Sequence, residues 1–519
     1  MKEYILSNQE AQAVDRYTME ELGYSGKELM KQAGHYVAMK AKTLIDHIPN
    51  SKIAIFCGTG NNGGDGFVGA TQLQDWGANV HVWIVGREEK IEGDARHYYD
   101  QLKQHPVEIN FLQNEEDLKR IDDLHGSDLI IDALLGTGLK GEVRGLYADI
   151  IELVNNAERK VLAVDNPSGI NGDKRKKGGI AVKAVKTITM GFLKRGLLYN
   201  DGVNYSGKVV VGDLNYPQES YSILENETFF FHHASLKDRL PKIPFDAYKH
   251  RMGKILCFSG SPGMTGAAVM VSQAAQRTGA GLVVNAIPKE LNTILEIKLT
   301  EGLSFPVTES KEHTLCPESL EDSQEKIEWS DTIVFGPGVS PHPEVMEFGK
   351  KLVTQVDKPV VIDADGLKIF KDNLALLHKI DNAILTPHVS ELSYMTGESV
   401  ANIRENIIDF GRDFVKKYKT SLVLKGPHTI TFKKDGTAAV NATGNPGLAT
   451  GGTGDILTGI IAAFSAQGVK PFNAAMVGVS LHGAAADEAV QDLGFRGLIA
   501  SDLLEYIPKI LKQYDELLH

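Results

Sequence analysis

The segment that most restricts how this chain can fold runs from Asn441 to Gly459, N-A-T-G-N-P-G-L-A-T-G-G-T-G-D-I-L-T-G. Its glycines, Gly444, Gly447, Gly451, Gly452 and Gly454, lack a Cβ, so the backbone can turn tightly and approach a ligand closely. Asp455 through Phe464 then reads as an apolar helix that Gly468 terminates. A glycine turn feeding a helix aims free backbone N–H groups, and the positive end of the helix dipole, at one point. That arrangement suits a phosphate. Asp455 stands at the mouth of this anion site, where a carboxylate is out of place unless it serves chemistry. The plain alternative is a helix N-cap, a role that Asp favours.

The same logic of strand, glycine loop and helix occurs elsewhere in the chain. Lys52 to Cys57 reads as a buried strand, runs into Gly58 to Gly66, and a helix is predicted from Phe67. Asn61, Asn62 and Asp65 depart from the standard dinucleotide fingerprint and offer oxygen ligands as well as donors. Further strands are predicted at Val80 to Val85, Asp128 to Asp132 and Lys160 to Asp165. Asp132 and Asp165 therefore fall at carboxyl ends of parallel strands, where open α/β sheets place their ligands. In the second half, Lys254 to Ser259 leads into another glycine loop, Gly260 to Ala268. Strand cores follow at residues 282–286, 332–335, 359–362 and 421–424, closed by the polar loops Gly336 to Ser340, Asp363 to Gly366, Thr386 to Glu391 and Lys425 to Thr429. No G-x-x-x-x-G-K-[ST] string occurs, which excludes a P-loop.

Strands alternating with helices predict an α/β protein. Its 519 residues exceed one ordinary domain. The expected division is a Rossmann-like three-layer αβα domain over residues 1–215, a linker over 216–228, and a second α/β domain over 229–519. Capping boxes at Ser7 to Glu10 and Ser25 to Glu28 predict two opening helices, and Phe229 to Phe231 an additional strand. Asp173 to Lys177 reads as a solvated loop. The net charge of −12 argues against a nucleic-acid partner, and three cysteines without metal-ligand spacing argue against zinc and disulfides. No signal-like apolar core opens the chain and no run reaches the ~18 apolar residues of a membrane span, so a cytoplasmic protein without a membrane partner is expected.

Two resemblances attach to these motifs. N-N-G-G-D-G, D-A-L-L-G-T-G-L and V-D-x-P-S-G-I resemble, in order, the NAD(P)H-hydrate epimerase domain over about residues 1 to 215. G-S-x-G-M-x-G-A, G-P-G, D-A-D-G-L, T-P-H, K-G-x-x-T and G-G-T-G-D resemble the ADP- or ATP-dependent NAD(P)H-hydrate dehydratases of the ribokinase-like fold, over about 230 to 515. Asn166 departs from the family, which usually has an apolar residue before this proline. Val389-Ser390 and Gly336-Pro-Gly-Val-Ser340 are departures as well.

The first resemblance implies that Asn61, Asn62, Gly63, Gly64, Asp65, Gly136, Thr137, Gly138, Leu139, Lys140, Gly141, Glu142 and Asp165 hold the hydrated cofactor. It also implies that Asn62, Asp132 and Ser168 help bind a potassium ion, a large cation that wants several hard oxygens and few full charges. Asp165 is the candidate for proton transfer. The second resemblance implies that Ala267, Gly338, His388 and Asp455 contact the hydrate. Lys425, Gly426, Pro427, His428 and Thr429, with Gly451, Gly452, Thr453 and Gly454, would face the adenine nucleotide. Asp455 would then be a general base, with magnesium bound mostly through phosphates and water. The expected function is repair of hydrated NADH and NADPH by epimerase and dehydratase activities in one chain that forms a homo-oligomer. The alternative is a ribokinase-like small-molecule kinase fused to a non-catalytic nucleotide-binding module.

Overall fold

The computed structural model describes all residues except 1–2, 122–123, 139–140, 171–178, 200, 516 and 519. The described chain falls into two compact units, Glu3–Glu225 and the residues from Asn226 onward. Leu139, Lys140 and the basic run at 173–177 lie outside the described residues.

The first unit opens as its capping signals predict. Ser7 accepts from the Glu10 backbone N–H, and the Glu10 carboxylate accepts from the Ser7 N–H in return, starting helix Asn8–Glu20. At helix Gly26–Ala41 only the Ser25 half of the box forms. The strands that follow are apolar without alternation, because a parallel sheet buries both faces. Their order in the sheet is Glu108–Leu112, Asn79–Val85, Lys52–Cys57, Leu129–Ala133, Val161–Val164, Lys186–Met190 and Lys208–Gly212, all parallel. Helix Asn61–Asp75 starts directly from the loop after the central strand. Gly66 is required there, since a Cβ would lie 2.7 Å from Cys57 Sγ. A short parallel pair, Glu3–Leu6 with Leu193–Lys194, completes the unit.

The stretch read from the sequence as a linker is packed on the first unit as far as Glu225. Tyr221 stacks on Tyr4 with ring centroids 4.3 Å apart, and Thr18 donates a 2.8 Å hydrogen bond to Ser220. Segments of low apolar periodicity still bury individual rings, which periodicity cannot reveal.

In the second unit the strand order is Leu303–Val307, Leu282–Pro288, Lys254–Phe258, Thr332–Phe335, Val360–Ile362, Ala383–Leu385, Ser421–Leu424, Ile430–Phe432, Ala438–Asn441 and Thr228–Phe231. Pairing is parallel except where Ile430–Phe432 runs antiparallel to both its neighbours. Helix Thr453–Ala466 forms the centre of this unit, with every residue from Ile456 to Ala466 buried. Burying side chains such as Ile456, Ile460 and Phe464 contributes about 1.5–3 kcal/mol each. Glycine lets neighbours come close: a Cβ on Gly459 would lie 2.4 Å from the Val271 carbonyl oxygen. Gly468, at φ +84°, lies just beyond the helix end. The buried helix thus fixes the position of its own first turn, and with it Asp455.

Candidate active sites

In the first unit a cavity of about 750 Å³ opens at the carboxyl ends of the central strands. Asn61, Asn62, Asp65, Gly136, Thr137, Gly138 and Asp165 line it. Gly63 and Gly64 do not; there a Cβ would strike the Gly58 carbonyl oxygen at 1.9 Å or Met30 Sδ at 2.5 Å, so glycine serves helix packing. Gly141 and Glu142 also stay outside the lining, and Glu142 instead pairs with Arg144 at 3.0 Å.

Asp132 and Ser168 join two strand-end loops. The Asp132 carboxylate accepts from the Ser168 N–H at 2.7 Å, from the Ser168 hydroxyl at 2.6 Å and from the Leu134 N–H at 3.2 Å. Burial pushes its pKa up to about 6, against the pull of these donors. Asn62, in the first turn of helix Asn61–Asp75, is half-buried, and neither polar atom of its side chain has a partner among the described residues. A Cβ on Gly136 would lie 3.3 Å from both Asn62 Oδ1 and Asp165 Oδ2, so those two side chains face the same small volume.

Asp165 occupies the left-handed region at φ +66°, a conformation Asp tolerates better than most residues. Lys194 Nζ donates to Asp165 Oδ1 at 2.6 Å and to the Met190 carbonyl at 2.8 Å, and its side chain is only 3% exposed. Burial, reinforced by the Asp165 charge, holds the Asp65 carboxyl well above the ordinary range. Tyr216 donates a 2.6 Å hydrogen bond to Asp15, whose pKa burial also raises. Sequence reasoning missed Lys194, Asp15 and Tyr216, which all line the cavity.

The second unit has a cavity of about 580 Å³, lined by Ala267, Gly338, His388 and Asp455 together, with Lys368 and Glu391 among their neighbours. Asp455 does not cap its helix. The N-cap is Gly452, at φ +93°, with no side-chain cap, and Asp455 is the third helical residue, within the first turn. Its pKa is pushed up to about 6, first by burial and then by the charge of Asp363, with Lys425 pulling the other way. His388 caps helix Val389–Thr396: its Nδ1 accepts from the Glu391 N–H at 3.1 Å, and Glu391 accepts from the His388 N–H at 2.8 Å. An accepting Nδ1 leaves the proton of the neutral ring on Nε2.

Lys425 Nζ donates to Asp363 Oδ1 at 2.7 Å, while Thr458 donates to Asp363 Oδ2 at 2.9 Å. Burial opposes the Lys425 charge, but Asp363 and Glu391 hold its pKa above the ordinary lysine value. A Cβ on Gly454 would lie 3.5 Å from Lys425 Nζ, so this ammonium stands beside the open N-terminal turn of the helix. Lysine charge, helix dipole and free N–H groups converge there as an anion site. Thr453 ties the turn by donating to the Leu448 and Thr450 carbonyls, both at 3.1 Å. Gly426 and Thr429 close a turn on each other, the Thr429 hydroxyl donating to the Gly426 carbonyl at 3.1 Å, with Pro427 and His428 between them. Gly451 is exposed, with room for a side chain.

Asp363 entered the sequence reading only as part of a loop motif, and its partners come from strands and helices far apart in the chain. Asp487 was missed too; it accepts from the Gly444 N–H at 2.9 Å and the Asn445 side chain at 2.8 Å, holding the glycine segment against helix Pro471–Gly497. Among the described residues, one cluster of metal-ligating type, Glu312, His342 and Glu344, lies in neither cavity. No described helix is long and apolar enough to cross a membrane.

Comparison with known proteins gives a consistent pattern. A family described as NAD(P)H-hydrate dehydratase matches residues 255–509, and one described as YjeF-related protein N-terminus matches 26–196. A bifunctional NAD(P)H-hydrate repair enzyme of Moorella thermoacetica is 36% identical over 516 residues, covering 99% of this chain and 97% of that protein. Among solved structures, a ribokinase-like superfamily protein from Enterococcus faecalis matches with a TM-score of 0.50 at 24% identity, over 56% of this chain and 97% of that one. An ADP/ATP-dependent NAD(P)H-hydrate dehydratase from Bacillus subtilis, co-crystallised with ATP and Mg2+, matches at 27% identity and a TM-score of 0.47, over 55% of this chain and 98% of that one.

Proposed function

The chain belongs to the bifunctional NAD(P)H-hydrate repair enzymes, and we propose that its two cavities divide the work, epimerisation in the first unit and dehydration in the second. The protein interconverts the R and S forms of hydrated NADH and NADPH, and returns the S form to NAD(P)H at the expense of ADP or ATP.

The observation that carries the assignment of residues is the setting of Asp455. It does not cap its helix, faces the same cavity as Ala267, Gly338 and His388, and lies in the same N-terminal turn as the anion site. A hydroxyl is a poor leaving group, and phosphorylation makes it a good one. Asp455 takes the proton as the hydrate hydroxyl attacks the terminal phosphate of the nucleotide, whose bridging oxygen leaves with the remaining nucleotide. Backbone N–H groups of the turn at Gly451 to Gly454, together with Lys425, stabilise charge on the transferred group. Magnesium, arriving with the nucleotide phosphates, would supply further charge neutralisation. The ring nitrogen lone pair then expels phosphate, and loss of a proton from the adjacent carbon restores the double bond. Asp363 is a positioning residue that aims Lys425 and biases Asp455 toward a pKa suited to a base near neutrality.

In the first cavity Asp165 moves the proton that epimerisation requires, held in place by Lys194. Asn62, Asp132 and Ser168 fit a potassium site. The unpartnered Asn62 amide oxygen is a hard ligand, and Ser168, donating its hydrogen to Asp132 and accepting from the Leu135 N–H at 2.9 Å, keeps one lone pair for a cation. Potassium held by Asn62, Asp132 and Ser168 would supply a diffuse positive charge to this end of the sheet.

Paired variants of the full chain test this division. Asp455→Asn should lose dehydration of the S hydrate by about 10²–10⁴-fold while R/S interconversion continues. Asp165→Asn should do the reverse. Wild-type dehydration by Asp455→Asn would overturn the assignment.

A further inference from the structure

The dehydratase cavity has an unbalanced lining. Asp365, Glu391 and Asp455 are acidic, and Lys368 is the single lysine or arginine among its lining residues. The substrate read for this cavity is a hydrated dinucleotide, which carries a pyrophosphate, and in the NADPH form a 2′-phosphate as well. An acidic wall repels such a ligand unless a cation is placed to meet it.

The local chain geometry places one. The segment Ala364–Phe370 begins with Ala364 in the left-handed region, at φ +49°. That bend separates two carboxylates only two positions apart. Asp363 turns inward to Lys425 and Thr458, with its side chain 2% exposed, whereas Asp365 lines the cavity. Both Asp365 oxygens are engaged: Oδ2 accepts from the Ser340 N–H at 3.2 Å, and Oδ1 accepts from Lys368 Nζ at 2.7 Å. Asp365 is therefore fixed by the loop beside Gly338, and in turn holds the Lys368 ammonium at the cavity wall. Lys368 remains 37% exposed, and an ammonium has three donors, of which Asp365 uses one.

From this we infer that Lys368 is a specificity-determining residue of the dehydratase. It binds a phosphate group of the hydrated dinucleotide, and Asp365 acts as its positioning residue. The inference rests on the reading of the second unit as the dehydratase, which wild-type turnover of the S hydrate tests separately.

The experiment compares wild type, Lys368→Met and Lys368→Arg in the full chain, with S-hydrated NADH and S-hydrated NADPH as alternative substrates. Lys368→Met should raise the hydrate KM roughly tenfold, as expected for one charge-assisted hydrogen bond, with kcat and the ADP KM unchanged. Lys368→Arg should recover most of the loss. An equal rise for both substrates identifies the pyrophosphate as the group bound, and a rise confined to the NADPH hydrate identifies the 2′-phosphate. An unchanged hydrate KM in Lys368→Met, or a rise in the ADP KM alone, overturns the inference. A melting temperature matching wild type confirms that the Met variant reports on binding.

Discussion

Lys425 and Asp363 are separated by 62 positions in the chain, yet the ammonium and carboxylate meet at 2.7 Å behind the first turn of the central helix of the second unit. Both act on Asp455, in opposite directions: the Asp363 charge raises its pKa and the Lys425 charge lowers it, on top of a larger rise from burial. The net value of about 6 sets the basic form in place just below neutral pH.

Dehydration should therefore follow an ascending limb, with kcat falling as pH drops through about 6. Asp363→Asn removes a negative neighbour and should move that limb to lower pH. Lys425→Met removes a positive one and should move it to higher pH. A profile of kcat against pH for the three proteins at saturating nucleotide measures both shifts; limbs that coincide would refute this coupling.

In the first unit, Lys194 and Asp165 form an ion pair with both partners nearly out of solvent. Lys194→Met would leave a buried carboxylate without its cation, which typically costs about 3–5 kcal/mol. We expect a clear loss of melting temperature together with loss of epimerisation. The double variant Lys194→Met/Asp165→Asn should recover much of the stability and none of the activity. Thermal denaturation with an R-to-S interconversion assay checks both.

Potassium activation of the epimerase should depend on pH. Asp132 must be ionised to serve as a cation ligand, and burial has raised its pKa to about 6. The concentration of potassium chloride giving half-activation should rise as pH falls below 6, with choline chloride as the ionic-strength control. Asp132→Ala should abolish the potassium response. Equal rates in potassium and choline at pH 8 would count against the site.

Asn166 is buried with 0% exposure, and neither polar atom of its amide has a hydrogen-bond partner among the described residues. Such a group carries a desolvation cost of about 1–3 kcal/mol. Replacement by Leu, of similar shape and without polar atoms, should raise stability by an amount in that range. Denaturant unfolding of wild type and Asn166→Leu measures it, and destabilisation would indicate that the amide is satisfied in solution.

The sequence by itself determined the architecture of each half and much of each cavity wall. Unbroken apolar runs ending in glycine loops are legible because a parallel sheet buries both strand faces and a ligand loop needs backbone without Cβ. For that reason Asn62, Asp132, Asp165 and Asp455 stand out without coordinates, each at the end of a strand or the start of a helix. What the linear chain hides is which distant side chains meet them. Lys194 on Asp165, Asp363 on Lys425, and Asp487 on Gly444 are contacts across the folded unit, and no spacing announces them. Gly63 and Gly64 show the opposite gap: the motif suggested cofactor contact, but tertiary packing against Gly58 and Met30 is what requires glycine there. Only the tertiary structure decided the electrostatics, because a pKa depends on burial and on charges a few ångströms away, and neither is a property of the local sequence.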